Sequence, residues 1–129
     1  MPRKPVAKLM LSARRSPCPV ACALDLFGDR WTLLVVRDLV LGSERFKEFA
    51  AAPEGVPTNI LSDRLSRLVT HHVAELVPAA DGTRHPAYRL TEKGRALIPI
   101  LAAVRDWGLT WERGTQVMGT PKLPRATLG

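Results

Sequence analysis

Residues 57–90 read PTNILSDRLSRLV and then THHVAELVPAADGTRHPAYRL. In the first segment Leu61, Leu65, Leu68 and Val69 recur at helical spacing and form one apolar stripe, with Ile60 on its flank. The opposite face carries Asn59, Ser62, Asp63 and Ser66, bordered by Arg64 and Arg67. Short hydrogen-bonding side chains suit a helix that lies in a groove and reads polar edges, whereas Glu/Lys pairs suit a merely solvated one. An ordinary surface helix fits this segment equally well, and taken alone the helix favours that plainer reading. The flanking segments shift the balance. Ala74 to Val77 has strand composition, Asp81-Gly82 is a turn pair, and Ala87 to Leu90 is the returning strand.

Upstream, Ser43 is positioned to cap a helix from Glu44 to about Ala51, with Phe46 and Phe49 inward and Arg45, Lys47 and Glu48 outward. The connector APEGVP then breaks that helix with two prolines and a glycine. Helix, short glycine-containing turn, helix is helix-turn-helix spacing, with the segment from Pro57 to Val69 in the recognition position. A hairpin immediately behind it makes the expected fold a winged helix-turn-helix, mainly α with a small β-hairpin wing. Further upstream, Pro19 opens a short helix that ends at Gly28. Asp29 caps the next, Arg30 to Leu41, which is apolar on most sides and therefore the expected buried centre. Downstream, Thr91 caps a last helix from Glu92 to about Arg113, with a kink expected at Pro99.

The chain has 129 residues, 46% hydrophobic and 24% charged, the profile of a single globular domain. Its longest apolar run, near Trp31 to Val36, is too short to cross a bilayer, and the N-terminus lacks the features of a signal peptide. Two cysteines four residues apart make no disulfide framework, so the expected compartment is cytoplasmic, with no membrane partner. The net charge of +7 lies at the ends. Residues 1–17 carry five cations and no acid, the segment after Gly114 adds Lys122 and Arg125, and the body between has twelve Lys/Arg against twelve Asp/Glu. The expected organisation is a basic arm over 1–17, a folded domain over 18–114 and a disordered tail over 115–129.

Several stretches together resemble the HxlR-type regulators, a branch of the MarR-like winged-helix transcription factors. They are CPV-x-x-ALDL-x-G-x-RWTLLVVRDL, LGSERFKEF, the ILSDRL-x-RL helix and YRLTEKGRAL, in order from Cys18 to about Trp107. The resemblance implies a homodimer that binds palindromic operator DNA and pairs through its N- and C-terminal helices. The chain departs from the family pattern in its short wing and in two further places. A Ser-Pro pair usually opens the recognition helix, where this chain has Pro57-Thr58, so Thr58 is the candidate cap. The turn after that helix usually carries an acid and a glycine, where this chain has Thr70-His71-His72-Val73.

The candidate DNA-reading residues are Thr58, Asn59, Ser62, Asp63, Arg64 and Arg67, with Asp63 either accepting from cytosine or pairing with Arg67 one turn on. Arg84, His85 and Arg89 on the wing, and Lys47 on the preceding helix, are candidates for the sugar–phosphate backbone or the minor groove. Cys18 stands at a helix start near Arg14 and Arg15, where the helix dipole favours a thiolate, and it aligns with the cysteine that thiol-sensing relatives use. A small residue at a helix cap, packed at a dimer interface, is the plainer reading of Cys18 and the one preferred. Pro19, Leu101, Val104, Trp107 and Trp111 are the candidate dimer contacts, in preference to a ligand pocket around the two tryptophans. No metal-ligand spacing, cofactor loop or catalytic constellation appears, so neither a cofactor nor an enzyme is expected.

The sequence therefore favours a dimeric, operator-binding regulator, a repressor open to a thiol-reactive or small-molecule effector. The competing reading is a winged-helix protein–protein module without specific DNA binding, and the neutral body keeps it in play.

Overall fold

The computed structural model describes residues 14–78 and 85–118. The expected turn at Asp81-Gly82, Arg84, and the outer parts of both basic ends lie outside the described residues. The elements are α1 Pro19–Phe27, α2 Thr32–Val40, α3 Phe46–Ala50, α4 Thr58–Thr70, β1 Ala74–Val77, β2 Ala87–Leu90, α5 Glu92–Arg95 and α6 Ile98–Trp111. This is the winged helix-turn-helix order: α3 and α4 form the helix pair, and β1 and β2 form an antiparallel wing in the register Ala74↔Leu90 to Val77↔Ala87.

The core is assembled around α2 and α4. Leu61, Leu65 and Leu68 are buried against a cluster containing Val35, Val36, Leu39 and Phe49. Each fully buried leucine contributes about 1.5–3 kcal/mol of transfer free energy. Val73, Ala74, Leu90 and Leu97 close the cluster from the wing side. The N–H of Tyr88 donates to the Glu44 carbonyl at 2.9 Å and its ring meets Phe49 edge-on, so β2 is joined directly to the start of the helix pair.

Three expected boundaries change for identifiable reasons. The second helix begins at Thr32 instead of Arg30, because the Asp29 carboxylate accepts from the backbone N–H groups of Trp31 and Thr32 and closes a turn there. The third runs only from Phe46 to Ala50 and is capped by Glu48, not Ser43. The Glu48 carboxylate accepts from the N–H groups of Glu44 and Arg45. So short a helix buries one face: Phe49 takes it, and Phe46, expected inward, is exposed. The single C-terminal helix is two. Thr91 caps α5 as expected, accepting from the Gly94 N–H, but the chain turns at Ala96 and Leu97 and restarts with Pro99 in the first turn of α6. Proline has no N–H to donate and its ring would clash with the carbonyl four residues back, so restarting is cheaper than kinking.

The LTEKG stretch has a packing explanation. Gly94 lies so close to the Val73 carbonyl that a Cβ there would overlap it, and the Thr91 hydroxyl donates to that same carbonyl.

Helices α2 and α4 end in the same way. After α2, Gly42 adopts φ 104° while the Ser43 N–H donates to the Asp38 carbonyl and the Gly42 N–H to that of Leu39. After α4, the Val73 and His72 N–H groups donate to the carbonyls of Leu68 and Val69, and His72 takes the left-handed position with φ 61°. The glycine missing from the turn at Thr70–Val73 is thus replaced by a strained histidine, since a Cβ in this region costs about 1–2 kcal/mol. His72→Gly is expected to raise unfolding stability by about 1 kcal/mol, after the added chain entropy of glycine is set against the relieved strain. His72→Val is expected to lower it, and urea denaturation of the two variants checks both signs.

Candidate nucleic-acid interface

Helix α4 projects Thr58, Asn59, Ser62, Asp63 and Ser66 into solvent while Leu61, Leu65 and Leu68 face inward. The expected polar face therefore exists, on the second helix of the pair and beside the wing. Thr58 is the first helical residue, with Pro57 at the cap position and no side chain capping the helix. The free N–H groups of that first turn point the way a phosphate or carbonyl oxygen would approach. Lys47 is exposed on α3, and no described residue pairs with it. His85 is exposed at the base of β2.

The arginines behave differently from the short polar residues. Arg64 is folded back against the body: its Nε donates to Asp29 at 2.9 Å, and its guanidinium also meets Asp63. Asp63 therefore pairs with its neighbour Arg64, not with Arg67 one turn on. Arg67 donates to the carbonyls of Asp25 and Leu26, at 3.0 and 3.2 Å, at the C-terminal end of α1. Those carbonyls lack intrahelical partners and carry the negative end of the helix dipole, so a guanidinium is well matched to them. Arg89 pairs across the wing with Glu75 at 2.6 Å. Both expected reading cations, Arg64 and Arg67, are thus already engaged within the fold as fasteners of α4, and so is the expected backbone contact Arg89.

Asp29 is the residue at this site whose role the sequence hides. It caps α2, accepts from the Thr32 hydroxyl at 2.5 Å and holds Arg64. Burial pushes its carboxyl toward the neutral form, but the Thr32 hydroxyl, Arg64 and the Trp31 N–H together win and hold it well below the usual carboxylate range. Capping is legible from local sequence, whereas a partner 35 positions away is not. A second network, Arg37 with Asp38 at 2.9 Å and with Glu54 at 2.7 Å, ties the connector before α4 to α2.

At the other side, Cys18 is exposed at the cap of α1 and Cys22 is half-buried, with its thiol donating to the Ser16 carbonyl at 3.3 Å. Both are free thiols. Arg15 is held by Asp25 at 2.7 Å. Of the expected dimer contacts, Val104, Trp107 and Trp111 are exposed on α6 and Pro19 on α1, whereas Leu101 packs partly on the core. Val20 and Leu24 of α1 add to the uncovered apolar surface. Among the described residues no cluster of His, Cys, Asp and Glu could hold a metal, and no helix is long and apolar enough to cross a membrane.

Architecture and site together define a MarR-like winged-helix protein of the helix-turn-helix class. Comparison with known families places it more closely: residues 26–116 match the HxlR-like helix-turn-helix family, and the chain belongs to that family. An uncharacterised HTH-type transcriptional regulator of Mycobacterium tuberculosis is 39% identical over 98 residues, 76% of this chain and 61% of its own length. The chain thus spans less than two thirds of that relative. Among solved structures, PA1607, described as a putative transcription factor, superposes at 44% identity with TM-score 0.73, covering 88% of this chain and 84% of its own. The reduced form of the regulator YodB from Bacillus subtilis, at 27% identity, gives TM-score 0.63 and covers 78% of this chain and all of its own.

The Asp29–Arg64 contact makes a quantitative prediction. Asp29→Ala is expected to cost about 2 kcal/mol, since it removes both a helix cap and the acceptor for Arg64. A double-mutant cycle with Arg64→Ala should show a coupling of about 1 kcal/mol. Because the folded carboxyl is held below its ordinary value of 3.8, its contribution is complete above about pH 4 and fades as acid protonates it. Asp29→Asn should therefore flatten the acid limb of the stability profile below pH 4, read by thermal unfolding across a pH series.

Proposed function

We propose that this protein is a homodimeric, sequence-specific transcription regulator, acting as a repressor at a palindromic operator. The observation that carries the reading is the outward face of α4. In the recognition position of a winged helix, Thr58, Asn59, Ser62 and Ser66 face outward with no side-chain partner among the described residues, while Arg64 and Arg67 fasten the helix to the body. With Arg64 and Arg67 engaged internally, base discrimination falls first on Asn59, Ser62 and Thr58. Asn59 is suited to adenine N6/N7 through a bidentate amide contact. Lys47 and the wing supply backbone contacts, and the basic ends add nonspecific affinity that falls with salt. The uncovered apolar surface of α1 and α6 provides the dimer contact, and two-fold pairing would set the recognition helices about 34 Å apart.

A thiol arm belongs to the same reading. YodB has been solved reduced, quinone-bound and diamide-treated, and a neighbouring structure is that of the redox regulator HypR. Here Cys18 is exposed at the start of the helix whose far end receives Arg67, so modification at one end of α1 acts on an element bonded to α4. The competing reading, a protein–protein module, is favoured by one observation: Arg64, Arg67 and Arg89 all satisfy partners within the chain.

Fluorescence anisotropy with the protein's own upstream DNA and a scrambled duplex, across a salt series, separates the two. The regulator should prefer the upstream duplex by a hundredfold or more on the order of specific over nonspecific sites. Asn59→Ala should cost about 1–3 kcal/mol on that duplex alone. Lys47→Ala should weaken both duplexes and reduce the salt slope by about one. Equal binding to both would leave only the basic ends at work and support the module. Trp107→Asp should shift the sedimenting species from dimer to monomer and weaken operator binding with it.

A further inference from the structure

With Arg64 and Arg67 engaged inside the fold, the outward face of α4 keeps no free arginine of its own. One stands beside it. Arg30 belongs to the turn that the Asp29 carboxylate closes ahead of α2, and its side chain is exposed. Its guanidinium stacks over the indole ring of Trp31, with the central carbon 5.0 Å from the ring centroid. Among the described residues no carboxylate pairs with it and no acceptor takes its N–H groups.

Two contacts fix where this cation stands. On one side Asp29 holds Arg64, which follows Asp63 on α4. On the other, Trp31 borders Ala52, Glu54 and Val56 of the connector into α4, across a gap of about 10 Å³ that has room for one water at most. Residues 29–31 therefore run alongside the first half of α4, next to the edge that carries Asn59 and Asp63. Stacking occupies the flat face of a guanidinium and leaves the N–H groups around its rim free to donate. Such a rim can take two oxygens of one phosphate in parallel, which the point charge of an ammonium cannot. The indole also restricts the rotamers of the long side chain, so less freedom remains to be lost on binding.

We propose that Arg30 binds a DNA phosphate beside the stretch of major groove that α4 enters, and so positions the helix without reading a base. The role rests on the regulator reading above. Phosphate contacts set the register and orientation in which a recognition helix meets the bases. Arg30 supplies such a contact from the start of α2, and Lys47 supplies another from α3.

The test is fluorescence anisotropy with the full chain, on upstream duplexes in which single phosphates are replaced by uncharged methylphosphonates. Arg30→Ala is expected to weaken binding to upstream and scrambled duplexes alike by about tenfold. The salt slope should fall by about one for each protomer bound. For the wild-type chain, one methylphosphonate position in each half-site should cost a similar factor. For Arg30→Ala that position should cost nothing further, while the other positions cost what they did before. Arg30→Lys should recover the salt slope but only part of the affinity, since it keeps the charge without the fork. Thermal unfolding of Arg30→Ala should stay close to that of the wild type because the side chain is exposed, which separates lost binding from lost fold. Unchanged affinity and salt slope in Arg30→Ala overturn the proposal. So does a loss confined to the upstream duplex with no methylphosphonate position that masks it. A wild-type chain that does not prefer the upstream duplex removes the regulator reading and the role of Arg30 with it, whereas a preference untouched by Arg30→Ala removes the role of Arg30 alone.

Discussion

Burial of Leu61, Leu65 and Leu68 is the contact on which the rest of the molecule depends. These three side chains lie one above another on α4 and enter the same cluster as Val36 and Phe49, so rotating α4 about its axis would expose them. Their cost of exposure sets which side chains face outward, and everything proposed about recognition concerns the residues left on that outer face. Apolar burial is not directional, however, and would tolerate some tilt or sliding of the helix. The directional contacts remove that freedom: Arg67 on the carbonyls ending α1, Arg64 on Asp29, and the turn around His72 that sends the chain into β1.

This division of labour bears on how such a helix can discriminate among DNA sequences. Long cations tied to the body hold the helix in place, and under the proposed recognition role that rigidity would lower the entropy lost on docking. Under the same proposal, the shorter Asn and Ser side chains would lose little rotamer freedom on meeting a base edge. The arrangement also links α1 to the recognition helix through two hydrogen bonds from one guanidinium. Under the proposed thiol control, a change at Cys18 would have only the length of α1 to travel.

Surface that the single chain leaves uncovered falls in two chemically different places. The exposed face of α6, with Trp107 and Trp111, and of α1, with Val20 and Leu24, is broad and apolar, and suits a partner of the same kind. The cleft bounded by Tyr88, Ile98 and Arg95 is concave and mixed, with Glu44 and Arg89 also among its lining residues. Ile98 at the head of α6 borders that cleft, so the cleft and the proposed dimer helix share an element.

Local pattern was enough to place the helix pair, the recognition helix and the wing strands, because helical and strand periodicities and the breakers between them are short-range properties. The inward and outward faces of α4 were legible for the same reason. Boundaries shifted where a side chain several positions away supplied the cap, as Glu48 does for α3, or where a proline restarted a helix, as Pro99 does. By itself, then, the sequence determined the order of elements up to the last helix, which is split in two, together with the core stripe and the polar face. Only the tertiary structure decided what the arginines do. A guanidinium can reach a base, a phosphate, a carboxylate or a helix end, and the choice depends on which acceptor the fold brings within about 3 Å. Asp29 lies 35 residues from Arg64, and the carbonyls of Asp25 and Leu26 lie 42 and 41 from Arg67, so no local pattern could announce those partners.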